Sequence, residues 1–394
     1  MVKLSLVKNK IKTSKISKKN KINKQQRGGV KIGEGGEGCV VKPHIPCKKN
    51  IKGDYITKII KLEDENDRTN AYNELLIHKL LFDIDTKNKY FITIIDICPI
   101  EDNIDRNNVS YTNVSKRLKN KCKIEPNSEY LNYIMPYGGL NLDDVVFMKK
   151  YNNIRYLINI NFRSLIKHLL LGLKKMHQNY IIHHDIKLDN IAIKKVNNKL
   201  FVKYLDFGFA ENIKSKNIKI YDNISFTAFG SPSYMPTDMF ITSQIITHMS
   251  KHSKIKLLDP NYKYNNLNDI YYELNDKNLD IYRYSIGLNS KTLKISKSKK
   301  KDIVSFNDII NIYNMLSKQV INNVFLKDYY KHIDGYVYKY DIYSLGIVFF
   351  QLYKNCKIDT NDDILDLIRH MIKNNPQERY NINQCLKHKF FTKN

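Results

Sequence analysis

No apolar run in this sequence approaches the ~20 residues that a helical membrane span needs. The longest, residues 169–173 and 346–352, are far shorter. That excludes a membrane-spanning helix, and a soluble body is expected. No C-x-x-C pair or other metal-ligand spacing joins the six cysteines, Cys39, Cys47, Cys98, Cys122, Cys356 and Cys385, so the cysteines suggest no metal site. No apolar segment of signal-peptide type stands at the N-terminal end. The expectation is an intracellular chain with reduced thiols, cytoplasmic by default. Acids are absent from residues 1–27, which carry ten Lys or Arg. With few large apolar residues, this stretch cannot offset its ordering entropy and is expected to be a basic, mobile arm.

What is present is enough for a large folded unit: 394 residues, 42% of them apolar. The formal charge of +27 invites a nucleic-acid reading. The excess is mostly lysine, accompanied by abundant Ile, Asn and Tyr, and it is spread along the chain. Such a joint bias fits AT-rich coding better than one basic surface, so nucleic acid is not expected as the primary ligand. A second basic cluster, residues 290–301, sits in a long Asn-, Tyr- and Lys-rich region that reads as an insertion loop.

The chemistry is concentrated in four places. Residues 30–41, VKIGEGGEGCVV, read as a strand, a G-x-G-x-x-G turn through Gly33, Gly35 and Gly38, and a returning strand. Such glycines let the backbone approach phosphates closely, and a strand after them argues against a dinucleotide fold, which needs a helix there. Residues 54–62 form another strand-like run containing Lys58 and a competitor, Lys61. Residues 70–81 show helical spacing of Leu75, Leu76, Lys79 and Leu80, with Glu74 in the first half. A lysine on a strand facing a glutamate on a helix forms an ion pair suited to holding phosphates. Residues 181–193, IIHHDIKLDNIAI, bring Asp185, Lys187 and Asn190 into one loop, and residues 201–210 end a strand at Asp206, Phe207 and Gly208. A carboxylate that accepts a hydroxyl proton, an ammonium for phosphoryl oxygens and oxygens for a hard cation are what phosphate chemistry requires.

Taken together, residues 28–391 resemble the protein kinase superfamily, serine/threonine type, in a divergent form similar to kinases of large DNA viruses. The resemblance implies an α+β bilobal fold: a small β-rich lobe at 28–135 and a larger, mainly helical lobe at 136–394, interrupted by an insertion at about 239–338. It implies that ATP lies under Ile32, Gly33, Glu34, Gly35, Gly36, Glu37, Gly38, Cys39 and Val40. Lys58 would hold the phosphates and be positioned by Glu74. Met135 would be the gatekeeper, and Pro136, Tyr137 and Gly138 the hinge that contacts adenine. Asp185 and Lys187 would be catalytic, with Asn190 and Asp206 as ligands of Mg2+. Asp341, in residues 339–352, would brace the catalytic loop from beneath. Protein substrates are implied as partners, and nuclear or virion-associated locations become alternatives to the cytoplasm.

Several departures from the family pattern carry expectations of their own. His184 stands where an arginine usually pairs with a phosphorylated loop, so activity is expected not to require loop phosphorylation. Ser225, Thr227 and Ser231 remain candidate phosphosites. Glu37, near the phosphates, is expected to point to solvent. Pro236, Thr237 and Asp238 replace A-P-E, with Asp238 expected to pair with Arg379. Residues 239–340, 102 in number, separate Asp238 from Asp341 where the family has a short connection. A pseudokinase scaffold and a small-molecule kinase are the rival readings.

Overall fold

The computed structural model describes residues 30–35, 38–47, 51–100, 121–125, 128–214, 234, 236, 336–359, 362–373 and 375–392. The basic arm, Gly36, Glu37, Ser225, Thr227, Ser231, Thr237, Asp238 and the insertion from 239 to 335 lie outside the described residues.

The N-terminal part is an antiparallel sheet of β1 (Val30–Gly35), β2 (Gly38–Lys42), β3 (Tyr55–Leu62), β4 (Asp96–Ile100) and β5 (Glu129–Pro136), in the order β1-β2-β3-β5-β4. β1 runs through Gly33 and Gly35, and Gly35 pairs with Gly38 on β2. Because directly paired residues share a face, register sorts the side chains into two sets. The row Val40, Lys58, Tyr133 and Ile97 faces helix α1 (Glu65–Ile84), where the Tyr133 hydroxyl donates to Ala71 O at 3.2 Å. The adjacent row, Cys39, Ile59, Asn132 and Cys98, faces the other way.

Helix α1 begins at the Asp64 cap, whose side chain accepts from the Asp67 N–H. Its buried face is Ala71, Glu74, Ile77, His78 and Leu81. The expected stripe through Leu75, Leu76 and Leu80 is displaced: Leu76 is 43% exposed, because the face is set by what meets Lys58 and Tyr133 rather than by the densest leucines.

The reduced-thiol expectation is contradicted. Cys39 is bonded to Cys122 and Cys47 to Cys98, across 83 and 51 residues, while Cys356 and Cys385 are free and buried. Both bridges fasten a chain segment over the outer sheet face. Residues 43–47 cross it, with Ile45 N donating to Thr57 Oγ1 at 2.8 Å and Asn132 Nδ2 donating to Ile45 O at 2.9 Å. Residues 121–125 cover its other end, with Cys122 and Ile124 packed on a small cluster of Cys39, Val41, Ile45, Ile59, Ile100 and Tyr130.

The C-terminal part is mainly helical. After β6 (Leu140–Asn141) and α2 (Leu142–Phe147) comes α3 (Asn152–Gln178), whose buried stripe runs Ile158, Phe162, Leu165, Leu169, Leu173 and Met176. β7 (Ile181–Ile182) pairs with β10 (Glu211–Asn212), and β8 (Ile191–Val196) with β9 (Lys199–Tyr204). Helix α4 (Tyr336–Asn355) is apolar around most of its circumference and lies in the middle of this core. At Gly346 an added Cβ would stand 2.7 Å from Ile372 Cγ2, so only glycine lets α4 approach the turn that follows α5 (Asp362–Met371). Helices α6 (Ile382–Leu386) and α7 (Lys389–Thr392) finish the chain. The bilobal α+β architecture is thus present.

Candidate functional site

Lys58 is the meeting point of the two lobes. Its Nζ lies 3.1 Å from Glu74 Oε1 on α1 and 3.0 Å from Asp206 Oδ1, which follows β9. Burial raises the Glu74 pKa, but the Lys58 ammonium and the His78 imidazole outweigh it and hold the carboxyl below its usual range. Asp206 behaves alike: burial pushes it up, and Lys58 brings it lower still. Both are therefore ionised at neutral pH and face the Lys58 side chain. Asp206 adopts a φ of +59°, a left-handed conformation unusual outside glycine, and Phe207 beyond it is fully buried. Lys61, the competing lysine, instead meets Glu63 and Glu125 at 2.7 and 2.6 Å on the exposed side.

The second cluster hangs on the loop after β7. Asp185, 4% exposed, has its Oδ2 2.7 Å from Lys187 Nζ. Asn190, which ends the 3-10 turn Leu188–Asn190, donates from Nδ2 to both Asp185 O and Asp185 Oδ2 at 2.8 Å. The loop is held from below by Asp341 on α4, whose buried carboxylate accepts from the backbone N–H of His183 and His184 at 2.9 Å each and contacts His177 Nε2 at 3.1 Å. Burial raises the Asp341 pKa, but the His177 imidazole above all, with those of His184 and His183, brings it down overall. A fixed anion thus sets the backbone on which Asp185 stands.

The glycine turn and hinge are built by close approach. A Cβ on Gly38 would fall 2.1 Å from Ile59 O, and one on Gly138 would fall 2.8 Å from Ala192 Cβ, which cannot rotate away, so neither position accepts a side chain without backbone movement. Gly33 pairs with Val40 in the β1–β2 hairpin, Cys39 points to the outer face, and Ile32 is 48% exposed. Met135 pairs with Ile56 and lies two residues beyond Tyr133 on the same strand face. The hinge has fewer free backbone donors than its length suggests. Pro136 has none, and Tyr137 N–H donates to Asp54 O at 2.8 Å.

His184 takes a φ of +64° and is sealed from solvent, with Nε2 3.6 Å from Glu211 Oε2. A phosphate approaching it would meet a carboxylate. Of the 230–238 segment, Tyr234 is described: its hydroxyl donates to Gln351 Oε1 and its carbonyl accepts from Ser344 Oγ, each at 2.8 Å, joining it to α4. The pairing of Arg379 with Asp238 lies outside the described residues. Arg379 itself donates to Lys373 O at 2.8 Å and Lys339 O at 3.1 Å.

One residue beside the cluster escaped the sequence reading. His78, one turn past Glu74, is 3% exposed, accepts the Ile94 N–H on Nδ1 at 3.3 Å and turns Nε2 to within 3.6 Å of Glu74 Oε1. Its ring meets Phe207 edge-on at 5.3 Å, and Phe207 lies 5.1 Å from His183. The i,i+4 spacing from Glu74 is the signal that was there to find.

Among the described residues, no group of three His, Cys, Asp or Glu is gathered to hold a metal. Asp206 and Asn190 contribute hard oxygen donors, which fit magnesium when phosphate oxygens complete the shell.

Comparison with known proteins agrees with this geometry. The family model described as protein kinase domain matches residues 27–253, more than half of the chain. It stops inside the insertion, short of the helix that carries Asp341. The Dictyostelium discoideum protein named probable serine/threonine-protein kinase fnkE is 31% identical over 104 residues, covering 26% of this chain and 7% of that protein. Calcium-dependent protein kinase 4 of Plasmodium berghei is 24% identical over 242 residues, covering 58% of this chain and 38% of the relative. The chain thus spans well under half the length of these relatives. Matching family model, two-lobed fold and the Lys58 and Asp185 clusters converge: the chain belongs to the protein kinase domain family.

Proposed function

We propose that the chain transfers the ATP γ-phosphate to serine or threonine hydroxyls of protein substrates. The observation that carries this reading is Lys58 bonded at once to Glu74 and Asp206, a charge arrangement suited to a triphosphate and its counter-ion. Asp185 orients the acceptor hydroxyl and takes its proton. Lys187, already against Asp185, neutralises oxygens of the migrating phosphoryl group. Asn190 and Asp206 are the residues that would hold magnesium, which when bound neutralises phosphate charge. The transition state of phosphoryl transfer is loose, so position and charge supply most of the acceleration. Lysine two residues after Asp185 supports serine or threonine as the acceptor.

The test is phosphoamino-acid analysis of a mixed protein substrate after incubation with labelled ATP and magnesium. Labelled phosphoserine or phosphothreonine is expected. Label confined to phosphotyrosine would overturn the acceptor class, and ATP binding without any transfer would make the chain a scaffold.

A further inference from the structure

The small lobe holds sulfur chemistry that phosphotransfer does not use. We propose that Cys39–Cys122 is a reversible thiol–disulfide site whose reduction by a dithiol weakens nucleotide binding; the nucleotide part rests on the function proposed above.

Cys39 directly follows Gly38, where an added Cβ would fall 2.1 Å from Ile59 O on β3, and its neighbour Val40 pairs with Lys58. The disulfide therefore anchors the base of the glycine turn, on the face opposite Lys58. Its partner segment, 121–125, reaches three further strands. Lys121 O accepts from Lys31 Nζ on β1 at 3.0 Å, Glu125 Oε2 meets Lys61 Nζ on β3 at 2.6 Å, and Glu125 N–H donates to the Tyr130 hydroxyl on β5 at 2.9 Å. The two lysine ties are exposed and compete with water. The sulfur bridge is the covalent member of the set.

The bridge is also accessible. Cys39 is 4% exposed but Cys122 is half-buried, and both line a cavity of about 510 Å³ shared with Gly38, Glu74 and Gly208. An incoming thiolate meets Cys122 Sγ first. The Cys39–Cys122 bond breaks, Cys39 leaves as thiolate and takes a proton, and a mixed disulfide forms on Cys122. The second thiol of the reductant then displaces Cys122, leaving two cysteine thiols and a cyclic oxidised reductant. A disulfide oxidant reverses the sequence.

Cys47–Cys98 supplies the internal control. It lies at the other end of the same register row and clasps residues 43–47 across β3 and β5, away from the glycine turn. Losing it should lower stability and leave nucleotide affinity in place.

The experiment uses the full chain purified without reductant. Alkylation in denaturant followed by intact mass should mark only Cys356 and Cys385; alkylation of all six would overturn the proposal at once. Calorimetric titration with magnesium and ATP should then give a Kd about tenfold weaker after dithiothreitol treatment, a coupling of ordinary allosteric size. The Cys39→Ser/Cys122→Ser variant should resemble the reduced form in both conditions. The Cys47→Ser/Cys98→Ser variant should keep the full redox response. Equal Kd values for oxidised and reduced wild type would overturn the site but spare the kinase reading. No ATP binding in either state would remove that reading and this inference together. Should the Cys39→Ser/Cys122→Ser variant fail to fold, the comparison of oxidised and reduced wild type decides alone.

Discussion

The two lobes seal their interiors by different means. Among the described residues, the outer face of the small-lobe sheet and the segment over it gather a small cluster of six buried residues, and two disulfides fasten the segments that cover it. The large lobe buries a continuous core through α3, α4 and α5, and there the two remaining cysteines stay as thiols. Burial in that apolar core pushes the Cys356 thiol up to about 11 and the Cys385 thiol higher still, which makes both inert. A sheet face too small to exclude water by area alone uses covalent ties, whereas a three-helix interior does not need them. The candidate site draws one half from each regime: Lys58 and Glu74 from the stapled lobe, Asp185, Asn190 and Asp206 from the packed one.

The largest expected effect falls on the packed side. Asp341→Ala would strand the N–H groups of His183 and His184 inside the core and should cost about 3–5 kcal/mol in urea denaturation. A loss well under 1 kcal/mol, a typical surface value, would break the claim that buried polar bonds hold this half. On the stapled side, removing either disulfide should cost about 2–4 kcal/mol, given the long loops each closes. Cys356→Ala or Cys385→Ala should cost only about 1 kcal/mol. Equal losses for paired and free cysteines would erase the contrast between lobes.

A smaller effect is expected at His78, which connects the halves through Glu74 and Phe207. His78→Leu keeps the volume and loses the polar contact, so ATP affinity should fall about fivefold, while His78→Gln restores it to within about twofold. Identical affinities in all three proteins would reduce His78 to packing.

The smallest effect is on acid stability. Glu74 and Asp206 sit below their ordinary values of 4.5 and 3.8, so the stability they contribute is fully present above those values and is lost as pH falls through the folded ones. The stability lost in Lys58→Met, read by urea denaturation, should therefore be greatest at neutral and higher pH and should shrink as acid protonates the two carboxyls. A loss that grows on acidification would contradict this assignment.

Much of the site could be read from residue order, because the loop holding Asp185, Lys187 and Asn190 is local and the helix bearing Glu74 follows its strand closely. Register is not local. Cys39 and Cys98 occupy one row only because β3 and β5 lie between them, and a single sequence contains no sign of that row. Nor does leucine spacing reveal which face of α1 turns inward, since Lys58 and Tyr133 decide it from another strand. His78 went unremarked for the same reason: as a lone histidine in a helix it reads as ordinary until Glu74, Ile94 and Phe207 are seen around it.

The central claim is that these separated side chains form one phosphotransfer site, and Asp185→Asn tests it most directly. The substitution preserves size and one acceptor oxygen but removes the proton acceptor and its charge beside Lys187, so transfer from γ-labelled ATP to a protein substrate should fall by about 10²–10⁴-fold in a variant that still folds and binds ATP. Equal labelling by wild type and variant would contradict the account.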